Sequence, residues 1–415
     1  MLRNKKIWDV IIIGGGASGM MAGAVASSRG KSVLVLEKNK SLGEKLKITG
    51  GGRCNITNSE PDIHKFLKIY GEGQPFLYSP FSIFGVKDTF KYFESRGLPL
   101  MVQSRNRVFP ATEKAYDVYN VLYKELVKNK VDIKTSCVVK NIIKKEGKII
   151  RIETNQGDLQ AKSFILATGG MSHPETGSTG DGFKFLKNLG HTISDPTPDV
   201  VPIAIYDDWV KSLAGISLSF MKITFYLENK KKFSKTGKIL FTHFGLSGPL
   251  ILNNAKKVKA LLDEGEVKAF IDLYPDTNIG ELENKIIKVF DLNKNKMLKS
   301  VIKEIVPDGM APALLTIIDF IDLDTKVHSI KKEDRKKIAN LIKALPLTIE
   351  GLMGFDRAVV ADGGVSLFEI DMKTMRSKKF SNLYVTGDLL HLTRNSGGYS
   401  LQLCWTTGYV AGMAV

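Results

Sequence analysis

Residues 43–57, GEKLKITGGGRCNIT, place two lysines, three consecutive glycines and an Arg-Cys-Asn triplet in one short segment. Gly50, Gly51 and Gly52 leave backbone N–H groups open to a flat ring or a phosphate. Lys45, Lys47 and Arg53 carry the charge to neutralise an anion held there. Cys54 reads either as a proton donor or as a small buried residue.

The segment follows a second glycine cluster. In WDVIIIGGGASGMMAGAVASSRGKSVLVLEKN the run Val10–Ile13 predicts a strand buried on both faces. Gly14, Gly16 and Gly19 then supply G-x-G-x-x-G. The first allows the tight turn, the second admits a pyrophosphate and the third lets helix pack on strand. A helix from Ala17 and Ser18 points its first N–H groups at the phosphates. SVLVLE is the next strand, and Glu37 at its end, 18 residues after Gly19, is placed to accept from a ribose 2′-OH. A plain NAD-binding domain would continue into another helix and strand. The cationic glycine loop in its place suits FAD stretched across the domain.

A third cluster lies near the C-terminus. NLYVTGD predicts a strand ending in Gly387-Asp388, where a carboxylate suits a ribityl hydroxyl or a phosphate-bridging water. GGYSLQLCWTTGYVAG opens a helix at about Ser400, whose positive end would face the flavin edge that carries charge when reduced. Tyr399, beside Gly398, either orients substrate over the ring or packs against it. His243, in THFGLSGP, is a candidate substrate contact or a hydrogen-bonded structural histidine, and His173 and His391 sit in glycine-rich loops. No histidine pair has metal-ligand spacing, so no metal is expected. No second G-x-G-x-x-G follows a strand, so an NAD(P)H donor would dock transiently at the flavin face.

These motifs must be held by a chain of 415 residues, enough for two or three domains, and 43% hydrophobic content supports packed cores. Three separated cysteines exclude a disulfide framework or a zinc site and suit a reducing, cytoplasmic setting. The N-terminus imitates a signal peptide, but Asp9 and the glycines that follow break the apolar run. No stretch approaches the roughly 18–20 apolar residues of a spanning helix, so no membrane association is expected. Net charge is +17. That balance suits an RNA partner, although only 11 of the 60 cations are arginine, which suits compositional lysine enrichment instead.

Periodicity predicts a helix over 112–130, then a three-stranded meander that re-enters a parallel sheet at Phe164–Ala167. Four segments follow from this reading. Residues 1–194 form the first part of an FAD-binding domain, and 195–279 a β-rich, barrel-like insert. Residues 280–345 form a lysine-rich helical subdomain, and 346–415 the return to the FAD-binding domain.

KITGGGRCNITN, RVFPAT, ATGG, TGSTGDG, THFGLSGP, ADGGVSL and GGYSLQ together resemble the BaiN-like (YhiN-like) FAD-binding oxidoreductases, also called aminoacetone-oxidase-like flavoproteins. The resemblance runs from about Trp8 to Gly412. It implies a glutathione-reductase-like, Rossmann-type α/β domain with an inserted β-barrel and helical subdomain. It also implies that Glu37, Lys45, Arg53, Cys54, Thr168, Asp388 and the Tyr399–Leu401 turn lie around FAD. With the glycine motifs, the candidate cofactor contacts extend to Lys38, Thr49, Val139, Gly169, Gly387, Gly398, Ser400 and Leu401. The chain departs from the family pattern at Asp388, Ser400, His391 and Arg394, where many relatives have Glu, Asn and acidic or small residues.

The family's activities are enone reduction in bile-acid metabolism, small-amine oxidation, and uridine reduction in ribosomal RNA. The first and third share hydride delivery to a carbon–carbon double bond conjugated to a carbonyl. The leading expectation is therefore an FAD-dependent reductase of such a bond, in a small molecule or in RNA, with NAD(P)H as donor. The alternatives are an amine oxidase that uses oxygen and a basic RNA-binding protein with a structural FAD.

Overall fold

The computed structural model describes residues 6–415; the basic start of the signal-like segment, residues 1–5, lies outside them. Two compact units divide the chain. One comprises residues up to Pro198 together with Ala358–Val415, and the other is Asp199–Arg357. The return to the first unit therefore falls at 358 rather than 346.

The first unit is built on a seven-stranded sheet. Ile7–Ile13 lies at its centre, and Val10, Ile11, Ile12 and Ile13 are at most 4% exposed because helices or sheet cover both faces. Val33–Leu36 pairs parallel on one side (Ile11 opposite Leu34) and Gly157–Leu166 on the other (Ile11 opposite Phe164). Asp132–Lys134 extends the first edge, and Leu383–Val385 joins the far side of Gly157–Leu166, Tyr384 opposite Ile165. Val139–Lys145 and Lys148–Thr154 form the antiparallel meander that runs into Gly157–Leu166.

Helix Ala17–Ser28 is rich in Ala, Gly and Ser, so it packs very closely on the C-terminal helix Tyr399–Ala414. A Cβ on Gly408 would lie 2.4 Å from the Ser18 carbonyl oxygen. Ala115–Lys128 is the helix expected over 112–130, with Ala115, Val118, Tyr119, Leu122 and Leu126 on its buried face. A small antiparallel sheet (Thr57–Asn58, Arg107–Pro110, Leu100–Gln103) and three short helices, Ile63–Lys68, Gln74–Ile83 and Val86–Glu94, complete this part.

The second unit is a closed six-stranded antiparallel barrel: Ile203–Ile205, Gly245–Ser247, Lys230–Thr242, Ser217–Leu227, Val267–Asp272 and Leu345–Leu352 in spatial order. Closure comes from Leu345–Leu352, which pairs with both Val267–Asp272 and Ile203–Ile205. That strand was expected to belong to the return segment. A barrel needs it, because an open edge would leave backbone groups unpaired. Helices Ile279–Leu292, Leu298–Val301, Ala311–Ile317 and Lys332–Lys343 lie between the last two barrel strands. Their Leu282, Ile286, Ile338 and Ile342 share one core with Ile271 and Ile349, so the helical part is no separate domain. Clustered lysines of this unit are exposed. Lys230–Lys232 open the second strand of a hairpin, and Lys332, Lys336 and Lys337 lie on the exposed side of the last helix.

Candidate functional site

The carboxyl ends of the parallel strands define the site in the first unit. Gly14, with φ of 108°, follows the central strand and donates its N–H to Leu36 O at 2.8 Å. A Cβ there would lie 2.4 Å from the Ala167 oxygen, and one on Gly19 would lie 2.0 Å from the Gly14 oxygen. Those two glycines are demanded by packing. Gly16 differs, since a Cβ on it would meet nothing within 4 Å. It also precedes a helix that has no side-chain cap, so the first-turn N–H groups around Ala17 and Ser18 are left for an outside acceptor. The turn is an open cradle of pyrophosphate character.

Glu37 is 9% exposed and anchors this turn. Its carboxylate accepts from Gly15 N and Asn39 N, both at 2.9 Å. Each oxygen retains lone-pair capacity for a ribose hydroxyl. Cys137 N donates to Glu37 O at 2.9 Å, which sets the start of the Val139 strand beside it. Lys38, a candidate cofactor contact, holds its ammonium 2.8 Å from Asp181 Oδ2.

At the neighbouring strand ends, Thr168 Cα would be 2.9 Å from a Gly14 Cβ, and Gly169 has φ of 73°. Thr386 Oγ1 lies 3.2 Å from Ser18 Oγ, which brings the strand leading to Gly387 and Asp388 against the first helical turn. Arg394 is 2% exposed. Its guanidinium donates to Asp388, to Leu392 O at 2.7 Å and to Ser400 Oγ at 2.9 Å. Three of the four positions at which the sequence departs from its family pattern are thus bonded to one another. The fourth, His391, lies 3.8 Å from Asp362.

Lys45 Nζ donates to Ser172 Oγ at 3.0 Å. Loss of hydration lowers its ammonium below the ordinary lysine value, while Asp388 acts in the opposite sense. Two cations, Lys45 and Arg394, thus share Asp388 next to a helix that starts at Gly398 without a side-chain cap. Two cations beside an uncapped helix start suit an electron-rich ring. Ser172 carried no sequence signal of its own; ATGG upstream marked only its loop.

The glycine loop is left-handed at Gly50, Gly51 and Gly52, and additional atoms on Gly51 or Gly52 would meet open space. Thr49 closes the preceding helix by donating Oγ1–H to Lys45 O at 2.8 Å. Arg53, a candidate for phosphate or ring, bonds Glu113 and Gln103 Oε1 (2.9 Å) and lies 4.4 Å from the Phe109 ring centre.

Cys54 is wholly buried, and burial pushes its thiol pKa up. A sulfur sealed from solvent favours the packing reading over the proton-donor one. Tyr399 begins the C-terminal helix half-buried, its ring 5.0 Å from Phe66 and its carbonyl accepting from Tyr70 OH at 2.9 Å. Burial raises its phenol above the usual tyrosine range. Leu401 is buried behind it. His243 is exposed in the second unit, in the turn after Lys230–Thr242, and packs edge-on against Phe244 at 4.9 Å.

An open glycine cradle, a buried carboxylate and a helix start flanked by cations at the carboxyl ends of one sheet fit FAD and a Rossmann-type flavoprotein oxidoreductase. The chain matches the HI0933-like protein Rossmann domain over residues 8–414 and belongs to that FAD-binding family. It is 32% identical over 413 residues to the 3-dehydro-bile acid delta(4,6)-reductase of Clostridium scindens, covering 97% of this chain and 98% of that protein. It is 29% identical over 410 residues to the ribosomal RNA dihydrouridine synthase of Haemophilus influenzae, with 98% of each covered. Among solved structures, a 3-ketosteroid-delta4-(5alpha)-dehydrogenase from Rhodococcus jostii shares the fold, with a TM-score of 0.56 at 15% identity over 100% of this chain and 98% of that one. No helix among the described residues is long and apolar enough to cross a membrane.

Proposed function

We propose that this protein reduces a carbon–carbon double bond conjugated to a carbonyl, with FAD as hydride carrier and NAD(P)H as the transient source of electrons. One observation carries the reading. Two relatives matched end to end are named for different substrates, and both names denote saturation of a C=C bond. Bound FAD supplies hydride to the β-carbon of such a system. The remaining work belongs to the chain.

In this reading Gly16, Ala17 and Ser18 hold the pyrophosphate and Glu37 the adenosine ribose, with Val139 and Thr168–Gly169 alongside. Asp388, fixed by Arg394, takes a ribityl hydroxyl. Lys45 and the Gly398–Leu401 helix start stabilise the negative charge of the reduced ring. Tyr399 is the proton donor to the α-carbon. A tyrosine phenol is protonated at neutral pH, which is the form a general acid needs.

The substrate is a small enone-type molecule or uridine in RNA, and the three free cysteines suit work in a reducing, cytoplasmic compartment. Anaerobic mixing of the FAD-loaded protein with NADH or NADPH tests the reading. Rapid bleaching, followed by recovery of the yellow colour on adding a 3-oxo-4-ene steroid or a uridine-containing ribosomal RNA fragment, is the expected result. Bleaching by small amines alone would replace this reading with an amine oxidase.

A further inference from the structure

Arg53, Arg105 and Arg107 converge on the small antiparallel sheet, and they are three of only 11 arginines in the chain. Arg53 and Arg107 place their guanidinium carbons 4.4 and 5.8 Å from the same Phe109 ring centre. Among the described residues, the one carboxylate bonded to any of the three is Glu113, on Arg53. Among the described residues the Arg107 guanidinium hydrogen-bonds only Ser104, through O at 3.2 Å and Oγ at 3.3 Å. Arg105 is exposed, and its guanidinium bonds nothing among the described residues. Like charges gathered with so little compensation repel, and a buried N–H without a partner costs stability. Both features occur here. Arg53 Nε is buried with no partner, and loss of hydration, then Arg105 and Arg53, lowers the Arg107 pKa.

The backbone adds a second sign. Arg105 and Asn106 are both left-handed, with φ of 62° and 56°, a conformation that non-glycine residues hold at a cost and that gathers at ligand sites. Asn58 ties this hairpin to the helix start. Its Nδ2 donates to Arg105 O at 3.1 Å and to Gly397 O at 3.2 Å. The Arg105 backbone is thereby linked through Asn58 to the Gly397–Gly398 turn, beside which the proposed reacting end of the cofactor lies.

We propose that Arg105 and Arg107, backed by Arg53, form an oxyanion subsite that anchors an anionic group of the substrate next to the flavin edge. A planar fork matches a carboxylate or a phosphodiester equally well. The proposal rests on the FAD oxidoreductase reading.

The test is calorimetric titration of the FAD-loaded protein with inorganic phosphate, comparing the parent with Arg105→Gln, Arg107→Gln and the double variant. Arg105→Gln removes no bond of the fold, so it reports on ligand alone. Saturable binding by the parent, weakened about tenfold or more in the double variant at unchanged FAD content, is expected. Absence of saturable binding in the parent, or equal affinity in all four proteins, overturns the subsite. Failure to load FAD at all would instead sink the oxidoreductase reading, and it is seen before any titration. Two further arms identify the source. A 3-oxo-4-ene steroid acid that loses affinity in the double variant, while its methyl ester does not, assigns a carboxylate. A uridine-containing RNA hairpin that alone loses affinity assigns a phosphodiester.

Discussion

Arg394 should be the most costly single side chain to remove from the candidate site. It is 1% exposed at the side chain, and its partner Asp388 is 15% exposed. Replacing Arg394 by Met keeps most of the volume but strips the cation from Asp388 and leaves Leu392 O and Ser400 Oγ without their donor. Breaking a buried pair by deleting one partner costs about 3–5 kcal/mol, because the surviving charge stays buried without compensation. At roughly 2–4 °C per kcal/mol for a unit of this size, the melting temperature should fall by about 6–20 °C. Adding Asp388→Asn to Arg394→Met removes the stranded charge. The double variant should then be more stable than the sum of the two single effects by about 1–3 kcal/mol. The melts are followed by circular dichroism on FAD-free protein, since Asp388 is also a proposed cofactor contact. A loss under about 1 kcal/mol for Arg394→Met, or strict additivity of the pair, would refute the reasoning.

Gly16→Ala should leave the FAD-free protein's melting temperature unchanged while weakening FAD binding, because a methyl there enters only the open cradle; Gly19→Ala should destabilise the FAD-free protein, its Cβ being 2.0 Å from the Gly14 oxygen. Equilibrium dialysis and thermal melts of both variants check the contrast. Lys45→Met should lower the reduction potential of the bound flavin, measured by dye equilibration, because it removes a cation from the edge proposed to carry reduced-ring charge. His191 is buried between Glu369 Oε2 (2.7 Å) and Ser377 Oγ (3.0 Å); burial lowers its pKa, and hydrogen bonds from Lys379, Thr192 and His191 bring Glu369 down to about 2 against the opposing effect of burial. Both folded pKa values lie below their unfolded ones, so the unfolded chain binds more protons on acidification. Stability should be full above about pH 6.5 and fall as pH drops, first through His191 and then from about 4.5 towards 2 through Glu369. Denaturant titrations across that range should show the upper part of the loss flattened in His191→Gln.

Signals that act within a few residues were readable from the chain alone. Val10–Ile13 had to be a doubly buried strand because four apolar residues in a row leave no polar face, and glycines after it left a helix only one way to begin. The meander, the Ala115–Lys128 helix and the helix start at Gly398–Tyr399 rest on the same short-range rules of periodicity and backbone freedom. What lies between distant segments was decided by tertiary structure. Leu345–Leu352 looks like any alternating strand, and only closure against Ile203–Ile205 assigns it to the barrel. Cys54 and Arg53 adjoin the glycine loop in sequence, yet burial seals the thiol and Glu113, 60 residues on, bonds the guanidinium. Lys38 likewise follows Glu37 directly but reaches for Asp181. Periodicity records which face of an element is apolar. It carries no record of which charge on another element will stand within hydrogen-bond reach, because that depends on how the whole sheet and its helices are packed.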